Sequence, residues 1–114
     1  MKSLSEQKQL WWYSARLSHP DPLVKGEHLR RARIRFARLQ SLWDIKHPER
    51  VLWAPWLALA EADVPESQAW MVIEASIPIC AGLVADLDGL PMSSGMAREG
   101  GLAKASGIPV EAIP

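Results

Sequence analysis

Features that would place a protein in a special class are scarce in this 114-residue sequence. It has a single cysteine, Cys80, which excludes a disulfide within the chain and favours a reducing compartment. Its thirteen basic and thirteen acidic residues cancel, so there is no net field that would gather nucleic acid or an anionic membrane. His28 and His47 lack partners at a spacing typical of metal ligands. We therefore expect no metal ion and no other cofactor.

Long apolar runs are missing as well. No segment approaches the roughly 18 residues that a membrane-spanning helix needs, and the first ten residues, MKSLSEQKQL, are too polar for a secretory signal peptide. The sequence shows no internal repeat and no low-complexity tract. We expect a cytoplasmic protein that has neither a membrane nor a nucleic acid as its partner.

What the sequence does have is the composition of one globular domain. Hydrophobic residues make up 48% of the chain and charged residues 23%, both ordinary values. A chain of this length can bury one hydrophobic core but not two, so we predict a single domain over residues 1–114. Six tryptophans are many for so short a chain, and most of them should belong to the core.

Apolar runs alternate with helical patterns along the chain. From Glu27 to Trp43 apolar residues recur at spacings of three and four, which predicts a helix. A short or kinked helix is predicted before Pro78, and another from about Met96 to Ala105. The segments interpreted as strands are LWWYSARLS, the part of VLWAPWLALA before Pro55, ICAGLVADLDG and IPVEAI.

This alternation predicts an α/β fold. Parallel pairing is the simplest topology for it, so we expect a small three-layer Rossmann-like or flavodoxin-like domain with a parallel sheet of four to five strands. Ligands of such sheets bind beyond the carboxyl ends of the strands. The segments there contribute three candidate substrate-binding residues: His19, Trp56, which can stack on a base, and Asp88.

A Ser-Ser-Gly turn before the last helix is the main candidate site. Ser93, Ser94 and the amides of Gly95 and Met96 lie at a helix N-terminus, where unpaired N–H groups and the helix dipole favour a phosphate. We expect Glu99 on the first turn of this helix, where a carboxylate can act as nucleophile or base on a bound sugar. The alternative is ordinary capping, with Ser94 as N-cap and no ligand, and spacing alone favours it.

The segment LDGLPMSSGMAREGGLAKASGIPV resembles the C-terminal part of the nucleoside 2-deoxyribosyltransferase-like superfamily, and YSARLSHPD resembles the first strand and loop of its small bacterial and phage members. In that superfamily a strand ends in a loop with Ser or Asp, then Gly, then Glu four residues after the glycine; Ser93, Gly95 and Glu99 match. The resemblance implies that Glu99 attacks the anomeric carbon of a deoxyribonucleoside or its 5'-monophosphate and expels the base. Ser93, where other members have Asp, implies binding of a 5'-phosphate.

The resemblance also implies a second carboxylate on the helix before the third strand. Aligning the strand ends puts Glu74 there, as an assistant to the leaving base or water, and an exposed helix residue is the equal alternative. Two features depart from the superfamily: Arg16 and Leu17 replace a Gly-Pro pair in the first loop, and Gly82 replaces an Asp before the third strand.

The predicted function is therefore hydrolysis or transfer at an N-glycosidic bond of a nucleoside or nucleotide through a Glu nucleophile. The two departures from the superfamily favour an alternative, a non-catalytic nucleotide-binding or regulatory module that keeps the anion-binding turn. Since few helices cover a short sheet, we also predict a homodimer or higher homo-oligomer that hides the remaining apolar surface.

Overall fold

In a computed structural model, which describes residues 8–114, parallel strands alternate with helices. The expectation of no signal peptide concerns residues that lie in part outside this range. The elements are β1 (Gln9–Ala15), α1 (Pro22–Lys46), β2 (Arg50–Trp53), α2 (Pro55–Glu61), α3 (Glu66–Ser76), a 3-10 turn (Ile77–Ile79), β3 (Gly82–Asp86), α4 (Ser94–Ala105) and β4 (Val110–Ile113).

The four strands form one parallel sheet in the order β2-β1-β3-β4. In the register of the two central strands Trp12 lies beside Leu83 and Ala15 beside Asp86. This is the flavodoxin-like order, in which the chain reverses its direction of travel across the sheet between β1 and β3. The predicted fold class is confirmed. The carboxyl ends of β1 and β3 form the switch point where such sheets bind ligands.

Strand β1 packs against helices on both faces, because neighbouring side chains of a strand point in opposite directions. The rings of Trp11 and Tyr13 meet Trp43 and Phe36 of α1 edge to face, at centroid distances of 5.6 and 5.3 Å. Trp12 points to the other face and reaches α4. The sheet therefore lies between two helical layers, and most of the tryptophans belong to the core as predicted.

Helix α1 is longer than the apolar periodicity indicated. It begins at Pro22, because the Asp21 side chain accepts a hydrogen bond from the Leu23 N–H and a proline fits the first turn. Within residues 8–114, no helix combines the length and the apolar character that crossing a bilayer requires.

The apolar segment around Pro55 contains two elements. Strand β2 lies before the proline as predicted and ends at Trp53, whereas helix α2, which Pro55 starts, was not predicted. Proline lacks an N–H and its φ suits a first helical position, so it can begin a helix as well as end a strand. Helix α2 brings Trp56 to the end of the sheet.

The arginines of α1 mostly pair with carboxylates. The ion pairs are Arg30–Glu27, Arg31–Asp88, Arg33–Glu61 and Arg35–Asp86. The last of these is nearly buried: Asp86 is 2% exposed and also accepts a 2.6 Å hydrogen bond from the Tyr13 hydroxyl. Burial and the Asp86 carboxylate raise the pKa of Tyr13 above its usual value. This network connects α1 to the carboxyl ends of β1 and β3.

Gly82 lies at the start of β3, directly against Trp11. A Cβ at this position would lie 2.4 Å from two ring atoms of Trp11. The indole therefore occupies the space that a side chain would need, and a glycine is required at the start of β3.

We predict that Gly82→Ala lowers the free energy of unfolding by about 1–3 kcal/mol, the usual cost of overpacking a core. Gly101→Ala is the matched control, because a Cβ there meets nothing within 4 Å and alanine favours a helix by up to about 1 kcal/mol. Urea denaturation followed by circular dichroism measures both. Equal stability of the Gly82 variant and the wild type would contradict this packing.

Candidate active site

A cavity of about 120 Å³ lies at the carboxyl end of β1, between α2, α3 and the N-terminus of α4. Three of its lining residues are ionisable: Lys25 of α1, Glu66 of α3 and Glu99 of α4. Of the residues predicted from the sequence, this cavity brings together Trp56, Ser93, Ser94, Gly95, Met96 and Glu99. The cavity therefore unites the tryptophan of α2 with the serine-glycine turn, which lie far apart in the sequence.

The serine-glycine turn differs by one residue from the capping prediction. Ser93, and not Ser94, is the N-cap of α4, and its hydroxyl accepts a 3.3 Å hydrogen bond from the Met96 N–H. Ser94 is the first helical residue and is exposed at the cavity. Glu99 consequently lies on the second turn, since the first turn contains no acidic residue. Favourable interaction with the helix dipole falls off within the first turn, so capping does not explain Glu99.

Glu99 is a buried carboxyl group, with 6% of its surface exposed. Its Oε2 accepts a 2.6 Å hydrogen bond from Nε1 of Trp12 on strand β1. Burial raises the pKa of Glu99 to about 8, although the Trp12 N–H and the nearby Ser14 hydroxyl act in the opposite direction. The neutral form of Glu99 is therefore favoured at pH 7. Such shifts concentrate at functional sites.

Trp12 is a site residue that the sequence did not reveal. Its position in an aromatic strand indicated a core residue, and it is indeed fully buried. A buried indole N–H needs an acceptor, and this was the one available signal. Only the parallel pairing of β1 with β3 and the packing of α4 on the sheet identify that acceptor as Glu99.

Two tryptophans, Trp56 and Trp70, line the cavity. Trp56 is 5% exposed, and its Nε1 donates a 2.7 Å hydrogen bond to the backbone oxygen of Tyr13. Trp70 has the Arg98 guanidinium over its ring, 3.9 Å from the centroid. Both indoles are therefore held in place by polar contacts, and the cavity has rigid aromatic walls.

Three predicted site residues lie outside the lining of this cavity. Glu74 forms a 2.8 Å ion pair with Arg98, and about half of its side chain is exposed. His19 accepts a hydrogen bond from the Asp21 N–H within the first loop. Asp88 receives two 2.7 Å hydrogen bonds from Arg31, which hold the pKa of its carboxyl below the usual range, and it lines a separate cavity against α1.

Over the described residues, 8–114, no three or more His, Cys, Asp or Glu side chains come close enough together to hold a metal ion.

The fold is similar to that of a solved structure, the 2-desoxiribosyltransferase from Leishmania mexicana. The two share a TM-score of 0.65 and 18% sequence identity over 92% of this chain. This chain spans 63% of that chain's length. No protein-family model and no curated protein matches the sequence significantly. At this level of identity the likeness establishes a shared fold.

The raised pKa of Glu99 predicts a specific pH dependence of stability. Between the ordinary pKa of 4.5 and about 8, the folded protein holds a proton on Glu99 that the unfolded chain has lost. The contribution of Glu99 to the free energy of unfolding is therefore fully present below pH 4.5 and is lost as the pH rises towards 8. Glu99→Gln removes this dependence.

We expect the stability of Glu99→Gln relative to wild type to rise by a few kcal/mol between pH 5 and pH 8. Denaturant unfolding of both proteins at each pH measures the difference, and titration of every other group cancels in it. A constant difference would show that Glu99 has an ordinary pKa.

Proposed function

We propose that this protein cleaves the N-glycosidic bond of a deoxyribonucleoside or its 5'-monophosphate, with Glu99 as the nucleophile. The observation that carries the proposal is a buried carboxyl group that one donor, Trp12, orients within a cavity at the switch point of the sheet. The fold shared with a deoxyribosyltransferase supports the same conclusion.

The proposed chemistry needs only the carboxylate and a leaving base. An ionised Glu99 oxygen forms a bond to C1', the bond from C1' to the base nitrogen breaks, and its electron pair leaves with the base, which takes up a proton from solvent. Water then attacks C1' of the glycosyl-enzyme, the bond to Glu99 breaks, and the water gives up a proton, so that hydrolysis restores the carboxylate. Attack by a second base in place of water breaks the same bond and completes transfer. Because Trp12 holds Oε2, Oε1 is the oxygen that we assign to the attack.

The serine-glycine turn is the proposed phosphate site. Ser94 and Gly95 begin a twelve-residue helix whose first amides lack intrahelical partners. Lys25 lines the same cavity and adds a positive charge. A 5'-phosphate bound here would place the attached sugar near Glu99, one turn further along the helix.

The position of Glu74 changes one part of the expected mechanism. Its ion pair with Arg98 lies outside the cavity lining, so we propose no step for it in breaking the bond. His19 and Asp88 are likewise left without a role in catalysis, since each is engaged away from the cavity.

The second candidate function is a nucleotide-binding module without turnover. The observation that favours it is the burial of Glu99, which is 6% exposed. Burial raises the pKa of its carboxyl group, and a neutral carboxyl group can donate a hydrogen bond to a ligand but does not attack a sugar. Base release that becomes faster as Glu99 ionises would support the enzyme over the binding module.

Assembly as a homodimer and a cytoplasmic location remain predictions. Several large apolar side chains are exposed, which supports the first of these: Leu23, Ile34, Leu42, Ile45, Met71, Val72, Ile79, Leu90 and Met92.

We predict that Glu99→Gln abolishes base release while nucleotide binding is retained, because the substitution keeps the shape and removes the nucleophile. In the wild type, kcat/KM should rise with pH and level off above about 8, as Glu99 ionises. Chromatography of a panel of deoxyribonucleosides and their 5'-monophosphates measures free base. Glu61→Gln, an exposed carboxylate outside the cavity lining, is the control. Release that persists in Glu99→Gln would contradict the assignment.

We also predict that Ser94→Asp weakens binding of 5'-monophosphates by tenfold or more, and of nucleosides much less, because the new carboxylate repels the phosphate. Aspartate at the start of a helix is compatible with folding. Ser94→Ala controls for loss of the hydroxyl. Calorimetric titration with both ligand classes decides the matter, and equal weakening of both would remove the phosphate from the proposal.

A further inference from the structure

We infer that the α2–α3 wall of the cavity, formed by its lining residues between Trp56 and Ile73, selects nucleobases that carry an exocyclic amine. Glu66 accepts a hydrogen bond from that amine, and Trp70 provides a stacking surface. The inference rests on the proposed function, because it names the substrate class of the same cavity. It depends on the juxtaposition of one carboxylate with an otherwise apolar wall.

The wall has the composition of a surface for a flat ring. Its lining side chains other than Glu66 are all apolar or aromatic: Trp56, Ala60, Val64, Ala69, Trp70 and Ile73. The flat face of an indole ring can stack on any nucleobase. The apolar residues therefore bind a base without discriminating between bases, and the discrimination falls to Glu66.

Glu66 is the first residue of α3 and is exposed at the edge of the cavity. Its Oε1 lies 3.5 Å from the Nε1 of Trp70, one turn further along the helix. An ionised carboxylate can only accept hydrogen bonds. It therefore attracts the amine of adenine, cytosine or guanine, and it repels a keto oxygen that another base presents at the same place.

Two residues that do not line the cavity, Arg98 and Glu74, hold Trp70 in position. The Arg98 guanidinium covers one face of the indole at 3.9 Å from the centroid, and Glu74 holds that guanidinium through a 2.8 Å ion pair. The contact is a cation–π interaction, which fixes the ring with respect to the helix. Glu74 is thus a positioning residue that acts on the cavity through Arg98 and Trp70.

Two pairs of nucleotides test the inference. Deoxyguanosine and deoxyinosine 5'-monophosphates differ only in the 2-amino group, and the deoxycytidine and deoxyuridine 5'-monophosphates differ at the exocyclic position of the pyrimidine. Binding is measured by calorimetry with Glu99→Gln, so that turnover does not interfere. In at least one pair we expect the amine-bearing member to bind about three- to tenfold more tightly, the effect of one hydrogen bond to a charged group at an exposed edge.

Adding Glu66→Ala to Glu99→Gln should reduce this ratio to about one, and adding Glu66→Gln should lower it less, since an amide still accepts a hydrogen bond. Adding Glu61→Gln is the matched control and should leave the ratio unchanged. Equal affinities within both pairs, or a preference that survives Glu66→Ala, would overturn the inference.

Failure of the inference is distinguishable from failure of the proposed function. Base release by the wild type without any preference for the amine overturns the inference alone. A preference in binding that depends on Glu66, without base release from any of the four nucleotides, overturns the glycosidic function and leaves the recognition of the base. No binding of any of the four overturns both.

Discussion

The burial of β1 on both faces is the constraint on which the rest of the structure depends. Trp12 donates its N–H to Glu99 of α4 on one face, and Tyr13 donates its hydroxyl to Asp86 on the other, both at 2.6 Å. The first contact joins α4 to the sheet, and the second joins β1 to β3, where Asp86 in turn pairs with Arg35 of α1. An indole or phenol without its acceptor would be costly to bury, so β1 constrains the positions of both carboxyl groups.

The two buried carboxyl groups differ in what surrounds them. Asp86 has its oxygens occupied by Tyr13 and by both donors of Arg35, at 2.6–2.9 Å. Among residues 8–114, Glu99 accepts a 2.6 Å hydrogen bond from Trp12, has the Ser14 hydroxyl nearby, forms no ion pair and lines a cavity. A carboxylate surrounded by donors is a structural element, whereas a buried carboxyl group with a perturbed pKa beside a cavity is a candidate for a functional role. The chain places one of each on opposite faces of the same sheet.

The aromatic core also explains how this chain departs from the superfamily that it resembles. The Trp11 ring fills the space in front of Gly82, and this ring packs on Trp43 of α1. A larger residue at position 82 would displace that packing. The change is thus a consequence of an indole in β1, and it lies on the face of the sheet opposite to Glu99. A glycine at position 82 is therefore only weak support for the alternative of a non-catalytic module.

The sequence by itself determined the α/β class, the buried strand β3, the amphipathic part of α1 and the turn that leads to Glu99. Each of these depends on local periodicity or on turn residues, which act over a few positions. Only the tertiary structure decided that Trp12 meets Glu99, and that Glu66 lines the cavity while Glu74 does not. Spacing along α3 gives the angle between two side chains, but the face that reaches the cavity depends on how the helix packs against α2 and α4.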